Sequence, residues 1–282
     1  MKKILVTGHK GFIGGHVTKA LEARGYAWVG WDLKDGNDVR DLARLDRLFE
    51  EENFDAIIHL AALAGVRRSE KYREEYLSTN VMGSDNILKM ADEYGVGRVI
   101  LFSSSSVIGE SGVPISFYGA TKRMMEDLPY RYAAKYLVPT TRTFIVRPFT
   151  VYGENGRGDQ VIYKWLNQLR AGRQITFFGD GDSKRGYTYV GDLVDGVMKL
   201  LEYRGEKPID DFDFGGAEVV SLNELLDIFR EVFPDIEVKR QDRNFADIKT
   251  NFADLAKARE LLEWEPKQNF KEKVLQIITS QE

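Results

Sequence analysis

A chain of 282 residues with 43% apolar and 30% charged residues is long enough for one large α/β unit and a smaller companion, and it is not a disordered segment. Its net charge of -4 gives no general attraction to nucleic acid or to an acidic membrane surface. With no cysteine it cannot form disulfides, thiolate metal sites or thiol nucleophiles, which fits a cytoplasmic protein.

The apolar run Ile4-Leu5-Val6 behind Lys2 and Lys3 stops at Thr7-Gly8, too early for a signal peptide. No apolar segment approaches the ~20 residues that span a bilayer. His9, His16 and His59 are scattered, so no metal site is expected.

Short β-branched runs at Ile4 to Thr7, Ala27 to Trp31, Ala56 to Leu60, Val99 to Ser103 and Thr143 to Val146 read as buried strands. Between them Ile13, Val17 and Leu21 make one helical stripe, Leu42, Leu45 and Leu48 a second, and Val81, Leu88 and Ala91 a third. This alternation predicts a Rossmann-like α/β fold, a doubly wound parallel sheet. After Pro148 come the glycine-rich turns Gly153 to Gly158 and Gly179-Asp180-Gly181, then helices at Leu222 to Phe233 and Leu255 to Leu262. The expected division is residues 1–148 plus about 186–204 as the dinucleotide-binding domain, and about 149–185 plus 205–282 as a smaller, discontinuous substrate domain. Tyr187 to Val190, followed by Asp192 to Leu201, is expected to rejoin the main sheet, and Pro129 to kink the helix that starts near Tyr118.

Gly8, Gly11 and Gly14, with Phe12 and Ile13, form a GxxGxxG turn between the first strand and the first helix. Glycines there allow a tight turn and close approach of backbone to a pyrophosphate at a helix N-terminus. Asp32 ends the second strand 18 residues beyond Gly14, where a carboxylate accepts from both ribose hydroxyls of NAD and repels a 2′-phosphate. Tyr118 and Lys122 stand four apart, on one helical face, behind the serine run Ser103 to Ser106. A tyrosine acting as base near neutrality needs its pKa lowered by about three units, roughly 4 kcal/mol, which a lysine supplies only inside a partly closed cleft.

These residues resemble the extended short-chain dehydrogenase family, specifically its nucleotide-sugar epimerases and dehydratases. Thr7 to Gly14 is similar to the fingerprint TGxxGFIG, and Asp38-Val39-Arg40-Asp41 to the segment whose first Asp meets the adenine. His59-Leu60-Ala61-Ala62 resembles the HxAA turn at the cofactor, and Asn80 the NxxG asparagine. Arg185 to Val190 is similar to RDFxYV, whose arginine meets the nucleotide diphosphate, and Asp247 to Asp254 to GDxxxTxAD. Ser104, five before Gly109, takes the place of the catalytic Ser/Thr, ahead of Tyr118 and Lys122.

The resemblance implies NAD as cofactor, a nucleotide sugar as substrate, and a homodimer through the helices of Asn80 and Tyr118. Dehydratases of this family carry Asp-Glu after the catalytic Ser/Thr, and decarboxylating relatives carry a Glu. Ser105 and Ser106 stand there instead, so elimination lacks its proton donor and epimerisation is the reaction the resemblance leaves. Ala64-Gly65-Val66-Arg67 and Arg147 to Gly153, containing Thr150, are similar to UDP-glucuronate 4-epimerases and also occur in UDP-glucose 4-epimerases. The substrate contacts so implied are Arg67, Ser104, Ser105, Tyr118, Thr150, Arg185 and Arg243, with Arg67 or Arg185 meeting either carboxylate or phosphate.

Three departures bear on selectivity. Nine positions separate Gly109 from Tyr118, where relatives insert about twenty residues. Six separate Asp32 from Asp38, trimming a β-α excursion beside the adenine, and Ile108 replaces the Tyr of VYG. A net oxidoreductase acting on a nucleotide sugar and a non-catalytic dinucleotide sensor remain as alternatives.

Overall fold

A computed structural model describes residues 2–109, 112–135, 140–242 and 248–280. The strands are β1 (Lys3–Thr7), β2 (Ala27–Trp31), β3 (Ala56–His59), β4 (Arg98–Phe102), β5 (Arg142–Pro148), β6 (Val151–Tyr152), β7 (Ile175–Phe178), β8 (Lys184–Gly186), β9 (Thr188–Tyr189), β10 (Ile209–Phe214), β11 (Val219–Ser221), β12 (Val238–Gln241) and β13 (Thr250–Asn251). The helices are α1 (Phe12–Ala23), α2 (Leu42–Glu51), α3 (Val66–Lys71), α4 (Arg73–Tyr76), α5 (Gly83–Glu93), α6 (Phe117–Ala133), α7 (Val161–Arg170), α8 (Val190–Glu202), α9 (Leu222–Arg230), α10 (Ala256–Leu262) and α11 (Phe270–Thr279).

Six strands form one parallel sheet in the order β10-β5-β4-β3-β1-β2. Its strands are apolar on both faces because both faces are covered. Ile4 and Val6, Ile100 and Phe102, and Phe144 and Val146 pack with α1, α8 and α10, whereas Leu5, Val99, Leu101 and Ile145 pack with α2, α5 and α6. Each such side chain, fully withdrawn from water, contributes about 2 kcal/mol. From β1 the chain passes to β2 on one side and later to β3 on the other. The crevice beyond the carboxyl ends of β1 and β3 is therefore the switch point where ligands of open α/β sheets bind.

A third apolar cluster lies in the later part of the chain. There Trp165 stacks on Phe177 at 5.8 Å and meets Phe229 edge-on at 5.5 Å.

Two expectations are corrected. Residues 209–214, assigned above to the substrate domain, form the outer strand of the main sheet. Their core pattern of Ile209, Phe212 and Phe214 is masked in the sequence by Asp210, Asp211 and Asp213, which Lys257 and Arg147 pair. Thr188–Tyr189 does not rejoin the main sheet but pairs with β6, and it is α8 behind it that returns to the sheet. α6 continues as α-helix through the buried Pro129 to Ala133.

One buried ion pair fastens α6 to β5. Glu126, 3% exposed, accepts from Arg147 Nε at 2.8 Å and Nη2 at 2.7 Å, and Arg147 Nη1 reaches Asp211 at 2.9 Å. Removing one partner strands the other charge, so Arg147→Met should lower the unfolding free energy by about 3 kcal/mol. Adding Glu126→Met should recover most of that loss in urea denaturation.

Candidate active site

The glycine turn is built around contacts that no side chain could share. At Gly8, φ +74°, a Cβ would stand 2.8 Å from the Ala61 nitrogen, and at Gly14 it would stand 2.1 Å from the Gly8 carbonyl oxygen. Gly11 begins α1 with no side-chain cap and no acidic residue in the first turn. Its leading N–H groups, with Leu60, Ala61 and Ala62 alongside, therefore form a cradle that fits the diphosphate of a dinucleotide. Phe12 and Ile13 anchor this turn by packing on the core.

Asp32, 8% exposed, closes the far end of the cradle. Its carboxylate accepts from Lys34 N at 2.9 Å and from Lys10 N at 3.0 Å, so it fixes the glycine turn while keeping lone pairs for ribose hydroxyls. Asp38 is held bidentate by Arg40, which lowers its pKa. Val39 is buried against the start of α5, where a Cβ on Gly83 would meet it at 2.6 Å. The residues present therefore fit NAD.

Across the crevice, the first turn of α6 is capped three times. Ser116 Oγ accepts from Gly119 N at 3.1 Å, Ser69 Oγ from Tyr118 N at 2.9 Å, and Glu70 Oε1 from Phe117 N at 2.8 Å. These bonds leave Tyr118 half-buried in the cleft, edge-on to Tyr76 at 6.3 Å. Burial raises the Tyr118 pKa above its ordinary value, against a hydrogen bond with Ser104 and the nearby charge of Arg157, which both lower it. Ser104 and Tyr118 are thus brought together.

Lys122 departs from the expectation. Its ammonium, 4% exposed, donates to the Phe102 carbonyl at 2.7 Å, and burial pushes its pKa down to about 7, partly offset by Glu126. In the protein alone, the cation biasing Tyr118 is Arg157 and not Lys122. Asn80 is fully buried on a π-helical turn, Leu77–Met82, a widened turn of the kind found at functional sites.

The expected substrate residues are spread over several elements. Arg67 is exposed at the start of α3, with its guanidinium 4.2 Å from the Phe178 ring. Thr150 joins β5 to β6, and its carbonyl accepts from Thr188 N at 3.1 Å. Arg185 lies on β8 in register with Asn251 of β13, and Asn251 Nδ2 donates to Ser105 Oγ at 3.0 Å. Ser105 is thereby tied to another strand, although it was read above as a substrate contact. Arg243 and Asp247 lie outside the described residues.

Sequence reading missed Ser69, Glu70, Asn251 and Arg157. The last is paired with Asp159 at 2.6 Å and lies beside Gly65. Its only signal was its place in the glycine-rich turn Gly153 to Gly158. No group of three or more potential metal ligands occurs among the described residues.

A parallel sheet with a glycine cradle at its switch point, facing a serine, a tyrosine and a lysine, defines a dinucleotide-dependent enzyme of the Rossmann type. The family model described as the NAD dependent epimerase/dehydratase family matches residues 4–214, and the chain belongs to that family. It is 34% identical to the UDP-glucuronate 4-epimerase of Thermodesulfobacterium geofontis, over 95% of this chain and 92% of that one. Among solved structures, UDP-glucuronic acid 4-epimerase from Bacillus cereus, in complex with UDP-glucuronic acid and NAD, is similar with a TM-score of 0.85 and 29% identity, over 96% of each chain. UDP-glucose 4-epimerase of Thermotoga maritima with UDP-glucose has a TM-score of 0.90 at 26% identity, over 98% of this chain and 97% of that one.

The depressed pKa of Lys122 has a thermodynamic signature. Between about 7 and its ordinary 10.5 the unfolded chain holds a proton that the folded chain has released, so stability rises with pH across that window. For nucleotide-free protein the contribution should approach about 1.4 kcal/mol per pH unit between pH ~8 and ~9, and Lys122→Met should remove it in denaturation curves.

Proposed function

We propose that this protein inverts C4 of a UDP-sugar reversibly, with NAD as cofactor and UDP-glucuronate as the favoured substrate. The observation that carries this reading is that Ser104 and the positive charge of Arg157 both act on Tyr118, lowering its pKa against burial, at the carboxyl end of the sheet where the glycine cradle lies. When bound, NAD supplies a two-electron acceptor at C4 that becomes the donor in the return half-reaction.

The chain's own residues handle the proton. Tyr118, as phenolate, takes it from the C4 hydroxyl while Ser104 hydrogen-bonds the same oxygen. Lys122 holds the nicotinamide ribose. Once the 4-keto sugar has turned over, Tyr118 returns the proton to the C4 oxygen of the opposite epimer. Burial alone opposes this ionisation, so positive charge in the loaded site must lower the Tyr118 pKa. Ser105 and Ser106 offer no acid for elimination, and Ser105 already accepts from Asn251.

The lobe built around Trp165 and Phe229 would hold the nucleotide, with Thr150 and Arg185 as contacts to the diphosphate. Arg67 and Arg157 lie toward the sugar, and a guanidinium next to Tyr118 suits a carboxylate on C5. The exposed apolar side chains of Met82, Met124 and Tyr130 sit on the π turn and on α6, which supports a homodimer formed there. No helix of the described residues is long and apolar enough to cross a membrane, which fits the expected cytoplasmic setting.

Incubation with UDP-glucuronate and UDP-glucose, followed by proton NMR, should show inversion at C4. Tyr118→Phe should slow it by about a thousandfold, and a rate within tenfold of the parent removes the assignment. Arg157→Leu should raise KM about tenfold for UDP-glucuronate and much less for UDP-glucose, while lowering kcat for both through the loss of its charge beside Tyr118. Continuous release of reduced nicotinamide from free NAD would instead favour a net oxidoreductase. Light scattering should give twice the chain mass, and a monomer refutes the proposed interface.

A further inference from the structure

His59 ends β3 between the glycine cradle and the π turn, and nothing in the chemistry above uses it. It is 2% exposed, and its polar neighbours Thr7, Ser84, Asn80 and Thr121 are all at 0%. Both ring nitrogens are occupied: Thr7 Oγ1 lies 2.7 Å from Nδ1 and Ser84 Oγ lies 2.9 Å from Nε2.

The proton positions follow from the partners. Ser84 Oγ donates to the Asn80 carbonyl at 2.7 Å, and a carbonyl can only accept. The Ser84 hydroxyl has therefore spent its hydrogen, and it faces His59 with a lone pair that requires an N–H on Nε2. Burial, reinforced by the charge of Lys122, pushes the His59 pKa down to about 3, so the ring is neutral and Nδ1 is bare. Thr7 Oγ1 then donates to Nδ1 and accepts from Ala61 N at 3.2 Å. Every hydrogen has one place, and no buried donor in this run lacks an acceptor.

The run continues through Asn80. Leu63 N donates to Asn80 Oδ1 at 2.8 Å, while Asn80 Nδ2 donates to the Leu63 carbonyl at 3.0 Å and to Thr121 Oγ1 at 3.1 Å. Thr121 Oγ1 donates in turn to the Tyr118 carbonyl at 2.9 Å. Two runs of hydrogen bonds thus meet at Asn80: one leads from the residue before Gly8 through the imidazole to the Asn80 backbone carbonyl, the other from the Asn80 side-chain amide to the backbone of Tyr118. Such a fully satisfied buried network specifies a single arrangement, because any rotation of one member strands its neighbours.

We propose that His59, fixed as the neutral Nε2–H tautomer, is a positioning residue that sets the glycine cradle and the loop of Leu60 to Leu63 against the catalytic helix, so that a bound dinucleotide meets Tyr118 in register. The role of Tyr118 in this statement rests on the function proposed above. The tautomer and the dinucleotide affinity do not, and they are read without turnover.

In holoprotein labelled with 15N-histidine, long-range proton–nitrogen correlation at neutral pH should give His59 a protonated Nε2 and a bare Nδ1. Ser84→Ala, which removes the acceptor, should shift it toward the Nδ1–H form. His59→Leu should weaken NAD binding by about tenfold or more and lower kcat, with KM for the UDP-sugar within about threefold. His59→Gln, which retains a donor toward Ser84, should recover part of the affinity. A wild-type ring that is charged or protonated on Nδ1, or a folded His59→Leu protein with unchanged NAD affinity, overturns the proposal. If His59→Leu does not fold, Thr7→Val is held to the same affinity criterion. Normal tautomer and affinity effects in a protein that turns over no UDP-sugar would overturn the proposed function while leaving the positioning role intact.

Discussion

The carboxyl ends of β1 and β3 approach each other so closely that a methyl group on Gly8 would collide with the Ala61 backbone, 2.8 Å away. That proximity does two things at once. It clears a path for phosphate oxygens to reach the N–H groups of α1, and it brings Thr7 within reach of His59 and Ala61. From there the remaining geometry is passed along by hydrogen bonds: His59 to Ser84, Ser84 to the π turn, and the π turn to α6. A larger residue at Gly8 would push β1 away from β3 and disturb the cradle and α6 together.

The same dryness that stiffens this arrangement governs its charges. Burial raises Tyr118, lowers Lys122 to about 7 and His59 to about 3, and raises Asp213 to about 6. Each shift favours the uncharged form, as withdrawal from water demands. The buried Arg147 guanidinium escapes this trend because its pairing with Glu126 opposes the effect of burial. Without ligand the site thus inclines toward neutrality, and a ligand that brings positive charge is what makes a phenolate affordable there.

Much of this was legible in the sequence because it is local. β1 to β5 announce themselves as apolar runs, the glycine turn by its spacing between strand and helix, and Tyr118 and Lys122 by helical period. The sixth strand was hidden because β10 reads Ile-Asp-Asp-Phe-Asp-Phe, and its acids are tolerated only through cations from β5 and α10. The caps on α6 from Ser69 and Glu70, and the Asn251 bond to Ser105, join residues far apart in the chain, so no window of sequence contains them. The direction in which Lys122 points was equally invisible, since spacing places two side chains on one face without saying which carbonyl lies nearer.

The bond from Asn251 to Ser105 also orders events during synthesis. Gly8 to Ala62 emerge first and already contain the cofactor cradle, whereas the central sheet lacks its last strand until Phe214 has been made. The residue that ties down the loop behind Ser104 arrives later still, on β13. The loop behind Ser104 is therefore among the last parts of the site to be tied down as the chain is made.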